Sequence, residues 1–139
     1  MSVLGSDVVN MALEFLGTPY RFGAEVEVTD SPKAFDCSEY VEYTLKKLLV
    51  PFADGSWNQF EFCQRHGLEI EIDEARGIAG ALVFKRDNLS HRVNHVAFCD
   101  GKNNTVESRG KLYGTGVWPW RRGWTDAALI PGVTYPERD

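Results

Sequence analysis

Phe35-Asp36-Cys37-Ser38-Glu39-Tyr40-Val41 reads as a loop running into a helix, with a cysteine at the helix mouth. Asp36 is a good N-cap, and Val41, Leu45, Leu48 and Leu49 recur behind it at helical spacing. Cys37 then occupies the first turn, where unpaired backbone N–H groups and the helix dipole favour negative charge. Two readings are open for it: a nucleophilic thiolate, or a small buried residue that begins a helix.

Upstream of this stretch, Ser6 is placed to cap a first helix with apolar positions Val8, Val9, Met11, Ala12, Phe15 and Leu16, ended by Gly17. Thr18 to Gly23 follows as an extended segment. An acidic loop, Ala24 to Ala34, with Glu25, Glu27 and Asp30, leads directly into Cys37 and is expected to wall whatever site Cys37 serves. Downstream, Pro51 breaks the helical pattern, and Ser56 caps a short helix from Trp57 to His66, closed by Gly67. Cys63 and His66 lie three apart on it. Two ligands do not make a metal site, so they read as a core cysteine and a surface histidine.

From about residue 79 the pattern changes to short β-type runs: Ala81–Phe84, Val93–Cys99, Thr105–Ser108 and Ala127–Ile130. Asp100-Gly101-Lys102 is a hairpin signal between the second and third. Helices first and a meandering antiparallel sheet afterwards predict an α+β fold. The segment Trp118-Pro119-Trp120-Arg121-Arg122-Gly123-Trp124 reads as a loop. It either presents stacking rings and cations to sugars or an anionic polymer, or anchors itself to the core through a Trp.

Composition bounds the rest. The 139 residues suffice for one domain, 1–139, and 43% hydrophobic content argues against disorder. A net charge of -5 makes a nucleic-acid backbone an unsuitable partner. Three cysteines without tight spacing form neither a disulfide framework nor a zinc knuckle, so no metal or cofactor is expected. The N-terminus lacks the basic region and apolar run of a secretory signal, and no stretch reaches the ~20 apolar residues of a membrane span. A soluble protein is expected, delivered by something other than its own leader if it acts outside a cell.

Alternation along a strand places His95 on the face shared by Ala97 and Cys99. A three-residue hairpin loop would set Glu107 directly opposite His95. A five-residue loop would keep it on that face one diagonal step away, and a four-residue loop would put it on the other. Cys99 lies about 13 Å along the strand from His95, out of reach. Cys63 lacks a loop-to-helix entry, and His91 is a weaker base in a polar loop. Cys37, His95 and Glu107 can therefore form a Cys–His–acid arrangement.

Gly17-Thr18-Pro19-Tyr20-Arg21-Phe22-Gly23, Phe35-Asp36-Cys37-Ser38, Gly80-Ala81-Leu82-Val83-Phe84 and Asn94-His95-Val96-Ala97-Phe98 together resemble the NlpC/P60 family of cell-wall cysteine peptidases, in that family's order. The acidic loop, with Asp54-Gly55-Ser56 and Gln59, looks most like actinobacterial and phage-encoded members. The resemblance implies a papain-like fold and hydrolysis of peptidoglycan stem peptides, typically at a γ-D-glutamyl bond to a diamino acid. It implies Cys37 as nucleophile, His95 as base and Glu107 as orienting residue. Tyr20 would stand beside the nucleophile, and Asp36 and Ser38 would help to bind the free amino end of the stem. An N-acetylmuramoyl-L-alanine amidase with the same Cys–His chemistry and a non-catalytic wall-binding or virion module are the alternatives. Three positions depart from the family pattern: Glu39 where glycine is usual, expected to crowd the first helical turn; Ala81 for an aspartate; and Glu107 for histidine or another polar residue.

Overall fold

In a computed structural model, which describes residues 2–136, three helices pack on one face of an antiparallel sheet and a short fourth on the other. The chain runs β1 (Val3–Leu4), α1 (Gly5–Leu13), α2 (Cys37–Lys47), α3 (Ser56–Arg65), β2 (Glu69–Ile70), α4 (Ile72–Ala75), β3 (Leu82–Arg86), β4 (Val93–Cys99), β5 (Asn104–Ser108), β6 (Thr115–Pro119), β7 (Asp126–Ala128) and β8 (Val133–Thr134). Six strands are ordered β2-β7-β3-β4-β5-β6, each pair antiparallel, while β1 and β8 form a separate parallel pair. No helix among the described residues is long and apolar enough to cross a membrane.

The predicted helices form, with local corrections. α1 starts at Gly5, and Ser6 is not its cap: Asp7 accepts a hydrogen bond from the Leu4 N–H at 2.8 Å. The start lies hard against Gly80, where a Cβ would come 2.6 Å from the Gly5 carbonyl oxygen, so both positions exclude a side chain. Asp36 caps α2 as expected. That helix stops at Lys47, and Leu49 falls outside the apolar stripe, exposed at φ 62. The Val50 N–H bonds back to the Leu45 carbonyl in a left-handed cap that points Leu49 at solvent. α3 begins at Ser56 itself, after Gly55.

Of the four predicted strands, β4 matches its range, β5 is longer by Asn104, and β3 and β7 are shifted. β6 was not foreseen. Its glycine and proline argue against a strand, but it lies at the sheet edge, where Pro119 needs no partner for a missing N–H. Gly17 and Thr18 bond to Thr115 on its outer side.

Leu82, Phe84, Val96, Phe98 and Val106 belong to the main core beneath α1, α2 and α3. Tyr40 packs edge-on to Phe98 at 5.7 Å, and its hydroxyl donates to the Ala12 carbonyl, locking α2 to both the sheet and α1. Val83, Ala97 and Cys99 face a second cluster with Trp124 and Tyr135. Gln59, fully buried on α3, donates to the Ser38 and Ala53 carbonyls. Ser108 donates to the Phe35 carbonyl, so β5 is tied to the loop that enters α2.

Candidate active site

Cys37 is held by its neighbours before any chemistry is considered. Asp36 Oδ1 accepts the Glu39 N–H at 2.8 Å and the Ser38 hydroxyl at 3.2 Å, while Oδ2 accepts the Gly23 N–H at 3.2 Å. These bonds fix the first turn of α2 and join it to the end of the Tyr20 segment. Tyr20 bridges Phe35 in parallel. Its phenol is pushed above the usual range by burial first, then by the charges of Cys37 and Asp36, which places the hydroxyl in their field.

Cys37 is buried, with Sγ 3.9 Å from the Asn94 carbonyl on β4. The next residue, His95, pairs with Glu107 and stands close enough to Cys37 for the thiol to raise its affinity for a proton. Its Nε2 is 2.7 Å from Glu107 Oε1, so Nδ1 is the nitrogen left for the thiol. Cys99 pairs with Thr105 and Phe98 with Val106, which is the register of a five-residue loop. Glu107 therefore lies diagonal to His95 on the same face, not directly opposite it.

Burial alone would lower the affinity of His95 for a proton, but the hydrogen bonds and charges of Cys37 and Glu107 outweigh it and push the imidazole up to about 9. Glu107 is fully buried. Burial would raise its carboxyl, yet Arg121, His95 and Thr105 hold it down at about 2. Arg121 grips both oxygens, Nη2 on Oε1 at 2.6 Å and Nη1 on Oε2 at 2.8 Å, and the Thr105 hydroxyl donates to Oε2. Trp124 stacks on the imidazole at 5.8 Å between centroids, and the Arg121 guanidinium lies over the same indole at 4.7 Å. The charges alternate from imidazolium to carboxylate to guanidinium, each ionic form stabilised by the next.

Arg121, Thr105 and Trp124 are the participants that sequence reasoning missed. The aromatic, cationic segment was noticed, and its anchoring reading holds for the buried Trp124. A buried strand glutamate needs a cation, and that requirement was the signal pointing to an arginine. His91 is exposed with φ 61, and its carbonyl accepts from Arg86, so it serves a turn and not the site. Cys63 and Cys99 are fully buried with thiols pushed up by that burial, Cys63 to about 12. His66 is exposed.

The acidic loop does not roof Cys37. A Glu39 carboxyl oxygen accepts the Val26 N–H at 3.3 Å, and the Tyr43 hydroxyl donates to the Asp30 carbonyl at 2.8 Å, so the loop lies along the flank of α2. A cavity of about 510 Å³ follows it, lined by Arg21, Glu25, Val26, Asp30, Ser31, Lys33 and Ala34, without Cys37 or His95. Glu39 thus turns away toward the loop and does not crowd the first turn. Glu25, Glu42 and Asp54 bring carboxylate oxygens within 4.8 Å of one another, and Lys46 meets Glu42 at 2.7 Å as counter-charge.

A family model described as NlpC/P60 matches residues 17–124, which includes every residue of this arrangement. The chain belongs to the NlpC/P60 family. That family comprises cysteine peptidases that hydrolyse peptidoglycan. Among solved structures, an NlpC/P60 family protein from Bacillus cereus superposes with a TM-score of 0.78 at 21% identity, over 94% of this chain and 41% of that one. The NlpC/P60 domain of the peptidoglycan hydrolase SagA gives 0.72 at 23% identity, over 92% of this chain and 100% of that domain. The peptidoglycan hydrolase RipB from Mycobacterium tuberculosis gives 0.70 at 26% identity, over 92% and 64%. The chain thus spans about two fifths of the Bacillus cereus protein and the whole of the SagA domain. No curated protein matches the chain in sequence. The NlpC/P60 fold accounts for the α2 terminus meeting β4, and the papain-like α+β prediction holds.

Proposed function

We propose that residues 1–139 form one peptidase domain that cleaves peptidoglycan stem peptides at the bond between a γ-D-glutamyl residue and a diamino acid, through Cys37, His95 and Glu107. The observation that carries this reading is His95 set beside Cys37 and paired with a buried, charge-compensated Glu107. Membership of the NlpC/P60 family supports the substrate class.

His95 takes the Cys37 proton, and the sulfur attacks the scissile carbonyl carbon. The carbonyl oxygen becomes an oxyanion that accepts from the Cys37 backbone N–H at the start of α2, with the Tyr20 hydroxyl beside it. The imidazolium returns its proton to the leaving amine, the C–N bond breaks, and a thioester remains on Cys37. Water, deprotonated by His95, attacks the thioester, releases the γ-carboxylate and restores the thiol. Glu107 fixes the imidazole tautomer and stabilises the imidazolium throughout. On the acyl side, Tyr20, Asp36 and Ser38 receive the free amino end of the stem. No step requires a metal.

Digestion of purified peptidoglycan followed by mass spectrometry tests the assignment. Fragments ending in D-glutamate with a new amine on the diamino acid are expected. Fragments with stems released from muramic acid at L-alanine would establish the amidase instead. An unchanged wall, with Cys37 no more reactive than Cys63 and Cys99 toward a thiol probe, would establish the non-catalytic module.

A further inference from the structure

The surface on the far side of His95 from the acidic loop is cationic. A cavity of about 390 Å³ opens there, lined by the cations Lys85, Arg86, Arg109 and Arg121 with His95, and by Asp87 as its one carboxylate. Lys85 on β3 pairs directly with His95 on β4, so both side chains leave the same face about 5 Å apart at Cβ. Arg109 follows β5 by one residue and lines the same cavity as His95. The imidazole thus shares this cavity with two cations, Lys85 on the neighbouring strand and Arg109 just past β5.

Most charges around the cavity are already committed. Arg121 holds Glu107, and Arg86 holds Asp126 at 2.7 Å. Asp87 accepts the Leu89 and Ser90 N–H groups of its own turn. Lys85 makes no hydrogen bond or ion pair among the described residues. Its ammonium rests over Gly123, where a Cβ would come 3.5 Å from Nζ. Arg109 lies flat over Tyr113 at 4.1 Å and Trp118 at 5.2 Å, a posture that fixes the guanidinium plane and leaves its N–H edges free. Two positive charges are therefore in surplus beside the group that must protonate the leaving amine.

The position dictates which half of the substrate meets them. The acyl half is bound to Cys37, and the leaving half must lie against the imidazole that gives it a proton. Resting on the proposed peptidase reading, we propose that this cavity is the leaving-group subsite and that Lys85 and Arg109 bind a carboxylate carried by the leaving residue or its immediate neighbour. A diamino acid with a side-chain carboxylate, such as diaminopimelate, satisfies this; lysine, with only an ammonium there, meets like charge.

The test uses binding, so that it does not depend on which bond is cut. Cys37→Ala protein is titrated calorimetrically with diaminopimelyl-D-alanine, with the side-chain carboxylate free or amidated, and with the D-alanine carboxylate free or amidated. The two arms separate the side-chain source from the C-terminal one. Free carboxylate in one arm is expected to bind about five- to tenfold tighter than its amide, less so as salt rises. In Lys85→Gln and Arg109→Gln, made in the same background and checked for unchanged melting temperature, that ratio should fall toward one. Lys85→Glu should invert it. Equal affinities for all four ligands, or a ratio untouched by either substitution, overturns the subsite even if wild-type protein cleaves peptidoglycan. Carboxylate selectivity in a protein that leaves peptidoglycan intact upholds the subsite and overturns the peptidase reading.

Discussion

Replacing Arg121 by Met removes the only cation gripping both oxygens of Glu107 among the described residues while keeping a side chain to lie over Trp124. The carboxylate, fully buried, would keep the imidazole and the Thr105 hydroxyl as partners. In the wild type the Glu107 carboxyl sits at about 2 against an ordinary 4.5. That gap corresponds to about 3 kcal/mol of stability near neutral pH, at roughly 1.4 kcal/mol per pH unit. The folded state binds fewer protons than the unfolded chain between these values, so this stability is present above 4.5 and is lost as pH falls toward 2. Arg121→Met should cost about 3 kcal/mol at pH 7, in the range for breaking a buried ion pair from one side. It should also flatten the acid limb, because a Glu107 without its guanidinium no longer resists protonation. Urea denaturation of both proteins at pH 7, 5 and 3 measures each quantity, and Arg121→Lys should fall between them. A variant within about 0.5 kcal/mol of wild type at pH 7, or one whose stability falls as steeply below pH 5, would refute the reasoning.

Cys37→Ala should abolish peptidoglycan hydrolysis with the denaturation midpoint retained. Cys63→Ala should cost about 1–3 kcal/mol of stability and leave kcat/KM near wild type, since Cys63 is wholly within the core. The imidazole, held up at about 9, must be protonated to release the amine, so kcat should fall as pH rises through that value. Glu107→Gln, by removing the charge that favours the imidazolium, should move that alkaline limb downward; a limb in the same place in both proteins would remove Glu107 from its orienting role.

What the sequence disclosed followed from short-range rules. A capping aspartate and an apolar stripe located α2, and strand alternation put Glu107 on the face of His95 whichever odd-length loop formed. The rest depended on contacts that no local period encodes. Arg121 reaches Glu107 from fourteen residues away, out of a segment following an edge strand that its own glycine and proline obscure. The acidic loop read as a wall of the Cys37 site. Its attachment to α2 depends on Glu39 and Glu25 sharing a hydrogen bond, which a count of formal charges conceals.

That shared bond carries a prediction of its own. Glu39 is 3% exposed, and burial, the hydrogen bond to Glu25 and the charges of Glu42 and Glu25 push its carboxyl up to about 9, against only the Val26 N–H pulling down. At neutral pH the folded protein keeps Glu39 protonated, whereas the unfolded chain ionises it near 4.5. The folded state therefore binds more protons in this window, and stability drains away as pH rises from 4.5 toward 9. Glutamine reproduces the protonated form: its oxygen can accept the Val26 N–H and its amide can donate to Glu25. Glu39→Gln should thus match wild type at pH 4.5 and exceed it at pH 8 by about 1–2 kcal/mol, well short of the full linkage value because Glu25 is exposed to solvent. Melting curves at the two pH values decide it. If Glu39→Gln is the weaker protein at pH 8, Glu39 holds the loop as a carboxylate and the protonated latch is wrong. If it is stronger, the residue standing where the NlpC/P60 pattern has glycine holds the acidic loop against α2 in its protonated form at neutral pH, and loosens it as the medium turns alkaline.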